Sequence, residues 1–241
     1  MDATPLCEGE PVTLQIGICA IDGSLVVASD TRHKTSANGV VSGRSNSPKI
    51  IQVGKHDALV AFAGVGDFGN HPGEALAAYL AEIDPLPDPL DPALRQWGNE
   101  FFKKSKYGPL ERDRDMPLCR LLIVSPKSRC PFFKLLVNRT SEVYGEFNCV
   151  IHGDESNAAV FWPQYLRAHD GKLDLRSATS VAATTVLMGN QITPDTVSGL
   201  ELYRYGQQKW KQVPRQDVIE IEQRFASCQD AIKASVFGMY I

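Results

Sequence analysis

Val12-Thr13-Leu14-Gln15-Ile16-Gly17-Ile18-Cys19-Ala20-Ile21 alternates loosely and is rich in β-branched residues, the pattern of a strand. Asp22-Gly23-Ser24 supplies a tight hairpin turn, where glycine removes the steric cost. Leu25-Val26-Val27-Ala28-Ser29-Asp30 returns as a second strand and ends on a carboxylate. A polar Gly- and Ser-rich crossing over 35–47 leads to Lys49-Ile50-Ile51-Gln52-Val53, a third strand opened by a lysine. Ala58-Leu59-Val60-Ala61-Phe62-Ala63 makes a fourth and closes in Gly64-Val65-Gly66-Asp67. Two hairpins thus bring a threonine, an aspartate, a lysine and a glycine turn to strand ends.

Outward from this stretch, the pattern changes to helix. His71-Pro72-Gly73-Glu74 opens one in which Ala75, Leu76, Tyr79, Leu80 and Ile83 share a face. The proline-rich run 84–92 is a stiff connector, because a second helix with Leu94, Trp97, Phe101 and Phe102 follows directly. Strands are expected at 118–124, 132–137 and 146–151, helices at 156–168 and 177–188, a hairpin around Gly206, and a last helix from Gln216. Two helices, strands, two helices, strands and a final helix predict an α+β domain with a sheet block between helical layers.

Composition bounds the function. The 241 residues, 43% of them hydrophobic, suit one large domain over 13–241 with residues 1–12 as a short leader. A net charge of −3 gives no electrostatic reason to expect nucleic acid or an anionic membrane. No stretch has the apolar length of a membrane span, and the N-terminus does not read as a signal peptide. The six cysteines show neither metal nor redox spacing, which predicts reduced thiols and a cytoplasmic protein.

Thr13-x-x-Ile16-Gly17, Asp22-Gly23, Ala28-x-Asp30-x-Arg32, Lys49-Ile50-x-x-Val53 and Ala63-Gly64-x-Gly66-Asp67, in this order, resemble the proteasome subunit family. Further along, Asp195-Thr196-Val197-Ser198-Gly199 resembles that family's Asp-x-x-Ser-Gly turn. The resemblance implies a four-layer αββα sandwich of N-terminal nucleophile hydrolase type and, for active β-type members, a threonine nucleophile. It implies Thr13, Asp30, Lys49, Asp195 and Ser198 as the catalytic set, with Gly64 facing the oxyanion and Phe62 beside a shallow side-chain pocket. It departs from the family at His152-Gly153-Asp154-Glu155, where Asp154 stands in place of a serine.

The chemistry accounts for these residue types. A threonine hydroxyl is a poor nucleophile and needs a base within hydrogen-bond reach. Cleavage before Thr13 would create an α-amino group, whose ordinary pKa near 8 suits that role. A lysine nearby favours the neutral amine and the ionised hydroxyl, and an aspartate holds the lysine. No metal or organic cofactor is called for. Singly, each residue has a plain structural reading: a β-former, a surface ion pair, a strand boundary, a turn.

The processing site is Val12–Thr13, where the family usually has glycine before the threonine. Val12 is β-branched and follows Pro11, which stiffens the turn that self-cleavage needs. The expected function is a threonine-type peptidase acting on protein or peptide substrates within a ring-forming homo- or hetero-oligomer. An uncut, non-catalytic ring subunit is the second reading, and a stand-alone amidase or transpeptidase the third. The apolar face of the first two helices is the expected ring-to-ring contact.

Overall fold

The computed structural model describes residues 13–37, 40–54, 56–64, 71–105, 119–153, 158–168, 173–194 and 197–237. The leader 1–12 therefore lies outside the described residues, as do the Val65-Gly66-Asp67 part of the glycine turn, Asp154 and Asp195. Among the described residues are twelve strands: β1 (Leu14–Cys19), β2 (Leu25–Ser29), β3 (Arg32–Ala37), β4 (Val40–Asn46), β5 (Ile50–Gln52), β6 (Leu59–Gly64), β7 (Cys119–Val124), β8 (Phe132–Val137), β9 (Glu142–Glu146), β10 (Cys149–Gly153), β11 (Glu201–Gly206) and β12 (Lys209–Gln212). Five α-helices accompany them: α1 (Pro72–Glu82), α2 (Asp91–Lys104), α3 (Phe161–Ala168), α4 (Leu175–Ile192) and α5 (Arg215–Phe237).

The strands form two five-stranded antiparallel sheets, β10-β1-β2-β11-β12 and β5-β6-β7-β8-β9, plus the separate ribbon β3-β4. Their side chains sort into three buried clusters. One, with Leu25, Val27, Leu59, Ala61, Val124, Phe132 and Val150, draws on strands of both sheets. A second joins Leu14, Ile16, Val26 and Ala28 to Ala178, Ala182 and Val186 of α4 and Val218 of α5. The third joins Val60, Phe62, Leu121, Ile123 and Phe133 to Leu76 and Leu80 of α1 and Leu94 and Trp97 of α2. Successive residues of β2 and β6 therefore bury opposite faces. That is why these strands read as nearly continuous apolar runs instead of clean alternations.

The helix ends have local causes. Asp174 caps α4, its Oδ1 accepting from Ser177 N at 2.6 Å. Proline falls in the first turn of α1 and of α2, where its missing N–H costs nothing.

Three expectations need correction. Of the polar stretch expected as a crossing, Thr35–Ala37 and Val40–Asn46 are strand in the β3–β4 ribbon, whose Arg32-His33-Lys34-Thr35-Ser36 carries no apolar period to announce it. The single strand expected at 146–151 is two: β9 ends at Glu146 in one sheet and β10 starts at Cys149 in the other. The chain changes sheets at Phe147 and Asn148, and Phe147 is exposed. Finally, of Leu76, Tyr79, Leu80, Trp97 and Phe101, expected on a ring-to-ring surface, Leu76, Leu80 and Trp97 are buried in the core beneath α1 and α2, and Tyr79 and Phe101 pack partly buried against it.

Candidate active site

The end of β2, the residue before β5 and the residue before β1 converge on one ion pair. Antiparallel pairing sets Gln15 opposite Ser29, so Thr13 and Asp30 emerge side by side at one end of the sheet. Asp30 Oδ1 accepts from Leu14 N at 2.9 Å, and Oδ2 accepts from Arg32 N at 3.0 Å. Lys49 enters from the second sheet: its Nζ donates to Asp30 Oδ2 at 2.8 Å and to Thr13 Oγ1 at 2.9 Å. All three side chains are buried, Asp30 completely.

Electrostatics follow from that burial. Desolvation lowers the pKa of Lys49, opposed by the Asp30 charge, and a buried ammonium is easier to neutralise than one in water. Desolvation likewise raises Asp30, opposed by Lys49 and by the two backbone N–H donors. An ammonium has three donors and no acceptor, so the Lys49–Thr13 bond has one polarity: the lysine presents positive charge to the threonine oxygen. His33 and His71 stand nearby with lowered pKa values, each chiefly through burial; the Lys49 charge is the next cause for His33. Among the described residues no group of three or more His, Cys, Asp or Glu side chains is placed to hold a metal ion.

The remaining expected residues are placed as follows. Ser198 docks beside Asp30 through its carbonyl, which accepts from Thr31 N at 2.9 Å and from Thr31 Oγ1 at 3.2 Å. Gly199 follows with φ 73°, and a Cβ there would come within 2.2 Å of Thr31 Oγ1. Gly64 ends β6, opposite Cys119, two residues beyond Phe62, whose N–H donates to Lys49 O at 3.3 Å. The Phe62 ring lies in the cluster under α1, edge-on to His71 with centroids 4.7 Å apart, and its carbonyl accepts from Gln15 Nε2. Val12 and Asp195 fall outside the described residues.

Comparison with solved structures adds the fold. BPH of Thiobacillus denitrificans superposes with a TM-score of 0.53 at 23% identity, over 80% of this chain and 97% of that one. Its complex with epoxomicin gives 0.52 at 23%, over 79% and 97%. Anbu, the ancestral β-subunit from Yersinia bercovieri, gives 0.61 at 13%, over 92% and 97%. The fold is proteasome-like. No family model and no curated protein sequence matches the chain.

Within this proteasome-like fold, two site residues were not anticipated. Glu201, on β11, is buried and accepts with one oxygen from both Lys49 N at 2.8 Å and Ile50 N at 3.2 Å. Burial raises its pKa, and burial together with the Glu201 carboxylate pushes Tyr203 up to about 12. Gly153 sits at φ 92° with an imagined Cβ 1.9 Å from the Thr13 carbonyl oxygen, so no side chain fits there. Its neighbour Asp154 drew attention in the sequence; the glycine carried the geometric signal.

Proposed function

We propose that the chain is a proteasome-like threonine peptidase subunit whose nucleophile, Thr13, is exposed by self-cleavage of the Val12–Thr13 bond. The observation that carries this reading is the single Lys49 Nζ bridging Thr13 Oγ1 at 2.9 Å and Asp30 Oδ2 at 2.8 Å. The sheets and helices are read as a four-layer αββα sandwich, supported by the three separate core clusters.

Self-cleavage starts when Thr13 Oγ attacks the Val12 carbonyl carbon; the Val12–Thr13 C–N bond breaks as the nitrogen takes up the hydroxyl proton, which frees the α-amino group, and water then hydrolyses the Val12 ester to release the leader and restore the hydroxyl. In peptide hydrolysis that amine takes the Oγ proton as Oγ attacks the substrate carbonyl. Lys49 stabilises negative charge growing on Oγ, and the Gly64 N–H faces the oxyanion, a donor of a kind that contributes about 3 kcal/mol. The ammonium returns its proton to the departing amine, giving an ester on Thr13. Water then attacks the ester, again with the amine as base, and releases the acid. Asp195 and Ser198 orient the amine, and Phe62 flanks the pocket for the substrate side chain. Assembly into rings, a cytoplasmic setting and the absence of any cofactor complete the proposal.

Val12 and Asp154 favour one second reading, an uncut ring subunit without catalysis. Intact mass and N-terminal sequencing separate the two. A chain beginning at Thr13, whose epoxomicin adduct is absent in an uncut Thr13→Ala variant, is the expected result. A wild-type chain that keeps its leader after assembly, and takes up no inhibitor, would leave only the second reading.

A further inference from the structure

Glu201 and Lys49 are 152 positions apart and lie on different sheets, yet the carboxylate grips the backbone that carries the lysine. Glu201 stands opposite Ser29 on β11, and Oε2 collects the N–H groups of Lys49 and Ile50 at 2.8 and 3.2 Å. Ile50 opens β5, which is three residues long and the edge of its sheet, and Lys49 immediately precedes it. On its inner side β5 has only the short ladder to β6, extended by the bond from Phe62 N to Lys49 O. So short an edge strand fixes its own position weakly. Two charge-assisted bonds to one buried carboxylate fix it far better.

We infer that Glu201 is a positioning residue: it pins the start of β5 across the gap between the sheets, so that Lys49 Nζ reaches Thr13 and Asp30 together. The catalytic consequence rests on the proposed function; the anchoring itself does not. Lys49 has a flexible four-carbon stem, and its two contacts of 2.9 and 2.8 Å both depend on where the backbone starts. A displacement of about 1 Å in a supporting group can cost roughly 100-fold in rate. The negative charge of Glu201 also supports the ammonium form of Lys49.

The test compares Glu201→Gln, Glu201→Asp and Glu201→Ala in the full chain, by amide hydrogen exchange and by kcat and KM on a fluorogenic peptide. Gln keeps an oxygen at the same reach, so exchange protection at Lys49 and Ile50 should stay near wild type and kcat should fall less than about 10-fold. Asp is one methylene shorter and folds with little loss of volume. It should lose protection at those two amides and about 100-fold in kcat, with KM changed less than about threefold. The same pattern is expected for Ala. Wild-type protection and kcat in Glu201→Asp would overturn the inference, as would a Glu201→Gln variant no better than Glu201→Ala. Exchange needs no turnover: a wild-type chain without peptidase activity would sink the proposed function, while the anchor would stand or fall on Lys49 and Ile50 alone.

Discussion

Lys49 is held at both ends, its amide by Glu201 and its ammonium by Asp30, with Thr13 as a second acceptor at the charged end. Replacing Asp30 by Asn should leave that ammonium buried without its counter-charge, at a cost of about 3–5 kcal/mol in urea unfolding. Adding Lys49→Met should recover much of the stability and none of the hydrolysis, which separates the pair's structural part from its chemical one. His152 makes a second residue-scale case. It is fully buried, and desolvation pulls its pKa from 6.5 down to about 3. The unfolded chain binds a proton below pH 6.5 that the folded chain refuses until about pH 3, so this histidine costs stability as pH falls through that window. Between pH 7 and pH 5 the stability of wild type relative to a His152→Gln variant should drop by about 2 kcal/mol. A constant gap between the two urea curves would show that His152 does not titrate as its burial demands.

At the scale of elements, the last residue of β10, Gly153, closely constrains Thr13. Gly153→Ala would place a methyl against the Thr13 carbonyl oxygen on a backbone with φ 92°. It should destabilise the protein by about 2 kcal/mol or more and abolish labelling at Thr13, read by thermal melting and intact mass. The sequence shows the two hairpins of the first half well, because β1, β2, β5 and β6 are apolar, short and separated by glycine turns. It places Thr13, Asp30 and Lys49 beside the ends of such strands, but what groups them as a set is the resemblance to the proteasome family, not that position. The ribbon β3–β4 is silent for want of an apolar period, since its two strands mainly pair with each other. Glu201 is silent for another reason. An acidic residue opening a strand is ordinary, and its partners lie 151 and 152 positions away, a distance that no local pattern encodes.

Across the whole molecule, the apolar faces of α1 and α2 are largely spent on the second sheet, with Tyr79 and Phe101 left partly buried. The Lys49 bond to Thr13 is present beside a threonine still in peptide linkage with Val12 in the sequence. On the proposed function, the uncut form would differ from the working one by a single bond, with Lys49 and Asp30 already in register with Thr13. Such a design behaves as an internal clock: the half-time of leader removal should not change when the protein is diluted 100-fold or so, as an intramolecular step requires. A half-time that lengthens on dilution would mean that a neighbouring subunit winds the clock.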